Sequence, residues 1–246
     1  MPTIGRLTGR NILITGAGAG IGRALALACA AEGAQVLLLG RTVAHLETAS
    51  DEINAAGGVP PVLIPGDLNQ LDDDAAEQIG HAVEEQFGAL HGLVHSAAIP
   101  GVHVPLAFYP TADWQAVLQV NLTAAFLLTR ALLPALHAAS SARVLFMSAS
   151  DGLRGTAYWG AYAVSKFGIE GLAQVLRDEL ATTSNIGVHV IDPGPHRTAL
   201  RAAAFRAEDS DAVPAADSNL GIYLHLLAAA PEATLPMRAC ARDWQP

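Results

Sequence analysis

Short apolar runs alternate along the chain with longer segments in which apolar residues recur every three or four positions. The first four runs are NILITG, AQVLLLG, PVLIPGD and LHGLVHSAA, and a helical pattern follows each of them. Two further runs, VLFMSAS at 144–150 and GVHVIDPG at 187–194, enclose a helical segment that contains Lys166. This order predicts strands that alternate with helices.

The predicted strands are almost continuously apolar, which is typical of strands buried on both faces of a sheet. We therefore predict the α/β class, with a single Rossmann-type, doubly wound parallel sheet and helices on both faces. Because no linker or repeat interrupts the pattern, residues 1–246 are expected to form one domain. The segment 196–219 is polar and irregular, and we expect it to be a mobile substrate loop inserted into that domain.

Composition and charge argue against two classes of protein, those that bind nucleic acid and those that span a membrane. The chain has 246 residues, a formal net charge of −9 and a pI near 5.4, and its arginines are scattered, which argues against nucleic-acid binding. Apolar helical stretches are expected to be broken by Arg, Pro or His before eighteen residues, and no signal peptide opens the chain, so we expect a cytoplasmic protein without a membrane segment. Cys29 and Cys240 are expected to be reduced, packed thiols.

Histidines do not indicate a metal centre. His91 and His95 are four residues apart, but they lie in or beside a predicted strand, where that separation is roughly 13 Å. This distance is too long for one ion, so no metal site is predicted.

A glycine-rich turn follows the first predicted strand. In TGAGAGIG, Gly16, Gly20 and Gly22 stand before a helical pattern, although the strict G-x-G-x-x-G motif fails because Ile21 or Arg23 falls at its third glycine. Glycines at a strand-to-helix turn let the backbone approach a pyrophosphate, whose charge the helix N-terminus favours. The alternative is a glycine turn that serves packing alone.

The second and third strand ends indicate which dinucleotide would bind. Arg41 follows the second strand, and no Asp or Glu occurs between Gly33 and Leu46. An arginine without a ribose-binding acid favours the 2′-phosphate of NADP over NAD, the alternative being a solvated surface arginine. Asp67, after the third strand, either accepts a hydrogen bond from the adenine amine or begins a turn.

Tyr162 and Lys166 are four residues apart in a helical pattern, so their side chains leave the same helix face. Lys166 is the one lysine of the chain, and every other basic side chain of fixed charge is arginine. A nearby ammonium lowers the pKa of a phenol and makes it useful as an acid or base. The alternative is a tyrosine and a lysine that share a solvated helix face by chance.

Motifs at separated positions resemble the short-chain dehydrogenase/reductase family over nearly the whole chain. They are TGAGAGIG, GDL at 66–68, QVNLTAAF at 119–126, YAVSK at 162–166 and DPGPHRT at 192–198. Within the family, WGAYAVSKFGIEG and RTALRAAAFRAED are similar to the bacterial YciK-type oxidoreductases, which are described as similar to oxoacyl-carrier-protein reductases.

The resemblance implies an oxidoreductase that transfers a hydride between NADP(H) and a small carbonyl or alcohol substrate. Tyr162 would be the proton donor, Lys166 would tune it and bind the nicotinamide ribose, and Asn121 would hold a water of the proton relay. The implied cofactor contacts are Gly16, Gly20, Ile21, Gly22, Arg41, Asp67, Leu68, Ala97, Tyr162, Lys166, Pro193, Gly194 and Thr198. The family also implies a homodimer or homotetramer, paired through the helices around 121–139 and after Lys166.

The sequence departs from the family at two places. His95-Ser96-Ala97-Ala98 replaces the Asn-Asn-Ala-Gly type of motif, and Ala149 stands where the family has its catalytic serine. Ser148 and Ser150 flank Ala149, and Ser148 is kept as a candidate catalytic residue that requires a bulge or a register shift at the strand end. Ala149 leaves open an alternative function, a dinucleotide-binding protein with little or no catalysis. His196, beside the expected nicotinamide pocket, is expected to be exposed to solvent.

Overall fold

Seven parallel strands form one sheet in the computed structural model, which describes residues 5–182, 184–231 and 233–245. Their order across the sheet is β3-β2-β1-β4-β5-β6-β7. The strand bounds are β1 Asn11–Thr15, β2 Gln35–Gly40, β3 Val62–Pro65, β4 Gly92–His95, β5 Ala142–Met147, β6 Ile186–Asp192 and β7 Arg238–Cys240. The predicted α/β class and the single doubly wound parallel sheet are confirmed.

Helices cover both faces of the sheet. The helix bounds are α1 Gly20–Ala31, α2 Val43–Ala55, α3 Asp73–Phe87, α4 Thr111–Leu118, α5 Ala124–Ala138, α6 Gly160–Leu180, α7 Ala199–Ala204 and α8 Gly221–Ala228. Alternate strand residues point into two separate cores: Leu13 and Phe146 pack with α3, α5 and α6, whereas Ile14 and Leu145 pack with α1, α2 and α8. This double burial explains why the strands are apolar at nearly every position.

The chain reverses direction across the sheet after β3. β2 and β3 lie on one side of β1, whereas β4 pairs with the other side of β1 and the later strands continue outward. Such a switch point opens a crevice at the carboxyl ends of the two central strands. Thr15 closes the base of that crevice, because its Oγ1 accepts hydrogen bonds from the backbone N–H groups of Ser96 at 3.0 Å and Ala97 at 3.1 Å.

The segment 196–219 contains regular structure that the sequence analysis does not predict, and its role as a mobile substrate loop stays a prediction. It contains α7 and one 3₁₀ turn at Ser210–Ala212. Arg201 forms two 2.6 Å hydrogen bonds with the carboxylate of Glu208, which joins α7 to the following residues. The alanine-rich sequence ALRAAA favours this short helix despite its polar surroundings.

One apolar helix is longer than the sequence predicts. Residues Thr111–Ala138 run as one continuous helix of 28 residues, and Arg130, Pro134 and His137 do not break it. By length and composition alone it could cross a membrane, with a mean hydropathy of 1.6 in its most apolar window. Its inner side chains, among them Leu128 and Leu132, are instead fully buried in the core beside the sheet. We therefore assign it as a core helix.

Candidate active site

A cavity of about 720 Å³ lies in the crevice at the carboxyl edge of the sheet. Every residue that the sequence predicts as a cofactor contact lines it: Gly16, Gly20, Ile21, Gly22, Arg41, Asp67, Leu68, Ala97, Tyr162, Lys166, Pro193, Gly194 and Thr198. Ser148 also lines the cavity, whereas Asn121 is buried and hydrogen bonds to the cavity residue Ile99. The fold thus brings together residues that are widely separated in sequence.

The glycine-rich turn needs its glycines for both conformation and space. Gly16 and Gly20 have φ angles of 69° and 54°, in the left-handed region that favours glycine. A Cβ at Gly22 would lie 2.5 Å from the carbonyl oxygen of Gly16, and a Cβ at Gly18 would lie 2.9 Å from the Cβ of His45. The close approach to His45 gives Gly18 a role that the sequence analysis did not assign.

The start of α1 can bind an anion. Ala19 precedes the helix without a capping side chain, and the first turn carries no acidic residue. Backbone N–H groups at an uncapped helix start lack intrahelical partners and attract negative charge. Together with the glycine turn, this end of the cavity fits a dinucleotide pyrophosphate.

One end of the cavity is suited to a second phosphate. Arg41 is exposed, lines the cavity and makes no ion pair with any residue that the structure describes. Thr42 and His45 lie on the same part of the wall. An unpaired guanidinium is the group that binds phosphate most effectively, and hydroxyl and imidazole groups can add hydrogen bonds.

Asp67 has a local role that the structure shows directly. Its Oδ1 accepts a 3.0 Å hydrogen bond from the backbone N–H of Asn69, which forms the turn after β3. The predicted bond to adenine stays a prediction, although Asp67 and its neighbour Leu68 both line the cavity.

Tyr162 and Lys166 lie one turn apart on α6, and both are buried. The ammonium Nζ of Lys166 donates a 2.7 Å hydrogen bond to the carbonyl of Met147 and lies 5.5 Å from the centroid of the Tyr162 ring. Burial raises the pKa of Tyr162 well above its ordinary value, and the charges of Asp151 and Asp192 raise it further. The lowered pKa that the sequence predicts for Tyr162 is therefore not seen in this arrangement, and the phenol keeps its proton at neutral pH.

Two carboxylates surround Lys166. Burial lowers the pKa of Lys166 to about 8, and Asp192 and Glu170 act in the opposite direction by favouring the charged ammonium. Arg238 from β7 contacts both acids, with 3.1 Å between its Nε and Glu170 and 3.7 Å between its Nη2 and Asp192. Four charged side chains therefore form a group beneath the cavity, which we call the lysine charge group: Lys166, Glu170, Asp192 and Arg238.

Asn121 lies in a single wider helical turn between α4 and α5, where the N–H of Ala124 bonds to the carbonyl of Gln119 five residues earlier. Its side chain exchanges two hydrogen bonds with the backbone of Ile99, at 2.8 and 3.0 Å, and donates a third to Ser165 at 3.1 Å. These bonds use both N–H donors of the amide and one of the two acceptor sites of its oxygen. The structure therefore shows Asn121 holding the cavity wall at Ile99 to the helix, and its predicted water-binding role stays a prediction.

The position of the missing catalytic hydroxyl is occupied by a methyl group. β5 ends at Met147, so strict alternation of side chains ends before Ser148 and Ala149. Ala149 packs against the cluster that contains Tyr162 and Ala161. The hydroxyl of Ser148 instead lies close to Gly152. A Cβ on Gly152 would be 2.5 Å from Ser148 Oγ and 3.1 Å from the carbonyl oxygen of Lys166. The catalytic role of Ser148, which lines the cavity, stays a prediction, and Ser150 is an exposed residue of the cavity rim.

The far end of the cavity is formed by the turn after β6. Gly194, with φ 73°, donates its N–H to Asp192 at 2.9 Å, and Thr198 caps α7 by accepting from the N–H of Arg201. A Cβ on Gly20 would lie 3.2 Å from the Cγ2 of Thr198, so this turn meets the glycine turn across the cavity. His196 is buried rather than exposed as the sequence predicts, since its Nε2 pairs with the carbonyl of Ser218 at 3.0 Å.

Comparison with known proteins identifies the family. The profile of the short chain dehydrogenase family matches residues 10–209. The chain belongs to this family. An uncharacterized oxidoreductase of Escherichia coli, YciK, is 39% identical over 221 residues, which cover 90% of this chain and 87% of YciK.

Solved structures of similar proteins superimpose on a still larger share of this short-chain dehydrogenase. A Pseudomonas syringae protein assigned as a short chain dehydrogenase is 42% identical, with a TM-score of 0.93 and coverage of 98% of this chain and 97% of the other. An Escherichia coli protein with the same assignment, solved with NADPH, is 37% identical, with a TM-score of 0.93 and coverage of 98% and 100%. The predicted resemblance to the family and to YciK-type oxidoreductases is confirmed.

The short-chain dehydrogenase cavity also contains residues that the sequence analysis did not single out. They are Asp151, Trp159, Phe205 and Arg242. Trp159 and Phe205 lie in the quoted segments WGAYAVSKFGIEG and RTALRAAAFRAED, but no role was assigned to them, and only the folded chain places all four in the cavity wall. Among the described residues, no group of three or more His, Cys, Asp and Glu side chains is arranged to hold a metal ion. His95, buried and bonded to Thr129 Oγ1 at 2.8 Å, has its pKa lowered to about 3 by burial and is therefore neutral.

Proposed function

We propose that this short-chain dehydrogenase transfers a hydride between NADP(H) and a carbonyl or alcohol substrate. The observation that carries the proposal is that Tyr162 and Lys166 line the same cavity as the glycine turn and Arg41. The free guanidinium of Arg41 supports NADP as the cofactor over NAD. The NADPH complex of the similar Escherichia coli protein supports the same preference.

Reduction of a ketone adds a hydride to the carbonyl carbon and a proton to its oxygen. NADPH, when bound, would supply the hydride. Tyr162 would supply the proton, and its raised pKa suits this role because the phenol is protonated before the reaction. Lys166 would bind the nicotinamide ribose through its ammonium and stabilise the phenolate that remains on Tyr162. Asn121 would keep Ile99 and the adjacent wall in place.

Ala149 supports a second candidate function, binding of a dinucleotide with weak or no catalysis. The methyl group beside Tyr162 cannot donate a hydrogen bond to a carbonyl oxygen. Loss of one donor from an oxyanion site costs on the order of a hundredfold in rate. We favour a slow enzyme over an inactive one because Tyr162 is retained beside Lys166 on one face of α6. Cofactor binding accounts for the lysine, whereas a tyrosine beside it supplies the proton that a reduction needs.

We further propose that the protein is a cytoplasmic homodimer or homotetramer. α5 and α6 expose several large apolar side chains: Phe126, Val164, Phe167 and Val175. Val164, Phe167 and Val175 share one side of α6, which is the pattern of a helix that packs on another helix. A second copy of the chain would cover them by two-fold pairing.

The function is tested by following NADPH oxidation against a panel of ketones, diketones and acyl thioesters, with NADPH binding measured by titration on the same sample. Turnover that is lost in Tyr162→Phe, while NADPH affinity is kept, supports the enzyme. NADPH binding without turnover of any panel member supports the second candidate. Failure to bind NADPH contradicts both.

A further inference from the structure

The part of the cavity beyond Tyr162 has an aromatic wall. The ring centroid of Trp159 lies 5.2 Å from that of Tyr162 and 5.6 Å from that of Phe205. His103 also packs edge-on against the indole, with ring centroids 4.4 Å apart, and helps to hold the orientation of Trp159. Flat apolar groups pack on such a wall, and cations are attracted to the faces of the rings.

A carboxylate stands on the same part of the cavity. Asp151 lies in the 3₁₀ turn Ser150–Gly152, two residues after Ala149, and it is half-buried at the cavity surface. It is near enough to Tyr162 for its charge to raise the pKa of the phenol. A substrate held by Tyr162 would therefore lie within the field of Asp151.

Two other charged side chains around this end of the cavity, Arg201 and Asp192, are already paired. Arg201 is held by Glu208 through two 2.6 Å bonds, and Asp192 contacts Arg238 and accepts from the N–H of Gly194. Within the described part of the chain, Asp151 forms neither an ion pair nor a side-chain hydrogen bond. Its negative charge is therefore available to a ligand in the cavity.

We propose that the substrate of this enzyme is a carbonyl compound with a flat apolar body that carries a cationic amine or quaternary ammonium group, which Asp151 selects. This inference rests on the proposed function and specifies its substrate class. The rings of Trp159 and Phe205 hold the body, and Asp151 provides the counter-charge. The indole of Trp159 adds the cation–π attraction, because the Arg201 guanidinium already lies 4.5 Å from the centroid of the Phe205 ring. Substrates with a carboxylate are disfavoured at the same position by like-charge repulsion.

Three probes of nearly equal shape test the selection. They are 1-phenylpropane-1,2-diones with a para trimethylammonium, tert-butyl or carboxylate group, of which the first two differ almost only in charge. Dissociation constants are measured by quenching of tryptophan fluorescence with NADP⁺ present, and kcat/KM by NADPH oxidation. We expect the trimethylammonium probe to bind about tenfold more tightly than the tert-butyl probe, and the carboxylate probe to bind most weakly.

The variant Asp151→Asn keeps the shape of the side chain and removes its charge, so the ratio of trimethylammonium to tert-butyl affinity should fall toward one. Asp178→Asn makes the same charge change on an exposed residue outside the cavity, and it should keep the ratio. Asp151→Ser serves as a second variant if the first folds poorly. A wild-type ratio near one, or a ratio that Asp151→Asn leaves intact, overturns the inference. Absence of NADPH oxidation with all three probes counts against the proposed function alone, because the binding ratio still decides the role of Asp151.

Discussion

The surroundings of Lys166 predict a lowered pKa for its ammonium, and the composition of the chain allows this pKa to be measured directly. Because Lys166 is the one lysine, a protein labelled with ε-¹³C lysine has a single lysine resonance in its NMR spectrum. Titration of that resonance should give a pKa of about 8, far below the ordinary 10.5, because Lys166 is buried. The difference corresponds to about 3 kcal/mol by which folding disfavours the ammonium relative to the neutral amine.

The sign of this effect on stability follows from proton linkage. Below pH 8 the lysine carries its proton in both the folded and the unfolded state, so the full cost of burying the charge is present. Between pH 8 and 10.5 the unfolded chain binds more protons at this residue than the folded chain, and the cost is relieved as the pH rises. Lys166 alone therefore contributes a free energy of unfolding that increases with pH across this window.

The variant Asp192→Asn tests which neighbours support the charge. Asp192 favours the ammonium, so its neutralisation should lower the pKa of Lys166 further. A nearby carboxylate is worth roughly one pKa unit or more, so the protonated fraction at pH 8 should fall from about one half to about one tenth. Asp178→Asn, on the exposed side of α6, is the matched control and should leave the titration in place. A resonance that titrates near 10.5, or one that Asp178→Asn moves as far as Asp192→Asn does, would refute the reasoning.

Three further predictions concern other parts of the molecule. NADPH should bind at least tenfold more tightly than NADH, and Arg41→Ala should remove most of the difference; equal affinities for the two dinucleotides, measured by titration of the unmodified protein, would contradict the assignment of Arg41. Ala149→Ser should raise kcat toward activated ketones about tenfold or more without changing NADPH affinity. Ser150→Ala is the control and should keep the original activity. A loss of activity in Ser150→Ala would show that a flanking serine already acts. Phe167→Glu should dissociate the assembly to a smaller species in sedimentation experiments, whereas the same change at exposed Leu153, outside α5 and α6, should not.

The fold was largely predictable because its information is local. Each of the first six strands is an apolar run that a helical pattern follows, and burial on both faces makes that signal strong. β7 was missed because it has three residues, Arg238–Cys240, none of which is fully buried. The helix α7 was missed because the polar, irregular composition of 196–219 indicates a loop and α7 has only six residues. For β7 the pairing with β6, rather than the local sequence, decides the structure.

The candidate site was predictable only where its residues belong to motifs. Spacing placed Tyr162 and Lys166 on one helix face, but it could not show that the ammonium bonds to the Met147 carbonyl. It also could not show that the strand ends before Ala149, which decides where the neighbouring hydroxyls point. Arg238 joins Glu170 across 68 positions, and such contacts have no signature in one sequence. The sequence predicts a lowered pKa for Tyr162 from the nearby ammonium. In the structure, burial raises the pKa of the phenol, and burial is a property of the folded chain that the spacing of two residues does not show.

The use of lysine at position 166, in a chain whose other fixed cations are arginines, has a physical reason in this geometry. The compact ammonium is satisfied by one carbonyl and the field of two carboxylates, whereas a guanidinium brings five N–H donors that a nearly closed space would have to satisfy. Arginine would also stay charged at every accessible pH, because its pKa is above 12. Lysine with a pKa of about 8 can lose its proton near physiological pH. In the proposed mechanism the same residue would hold a cofactor hydroxyl and return a proton toward Tyr162 after the phenol has given its own, which a permanently charged guanidinium could not do.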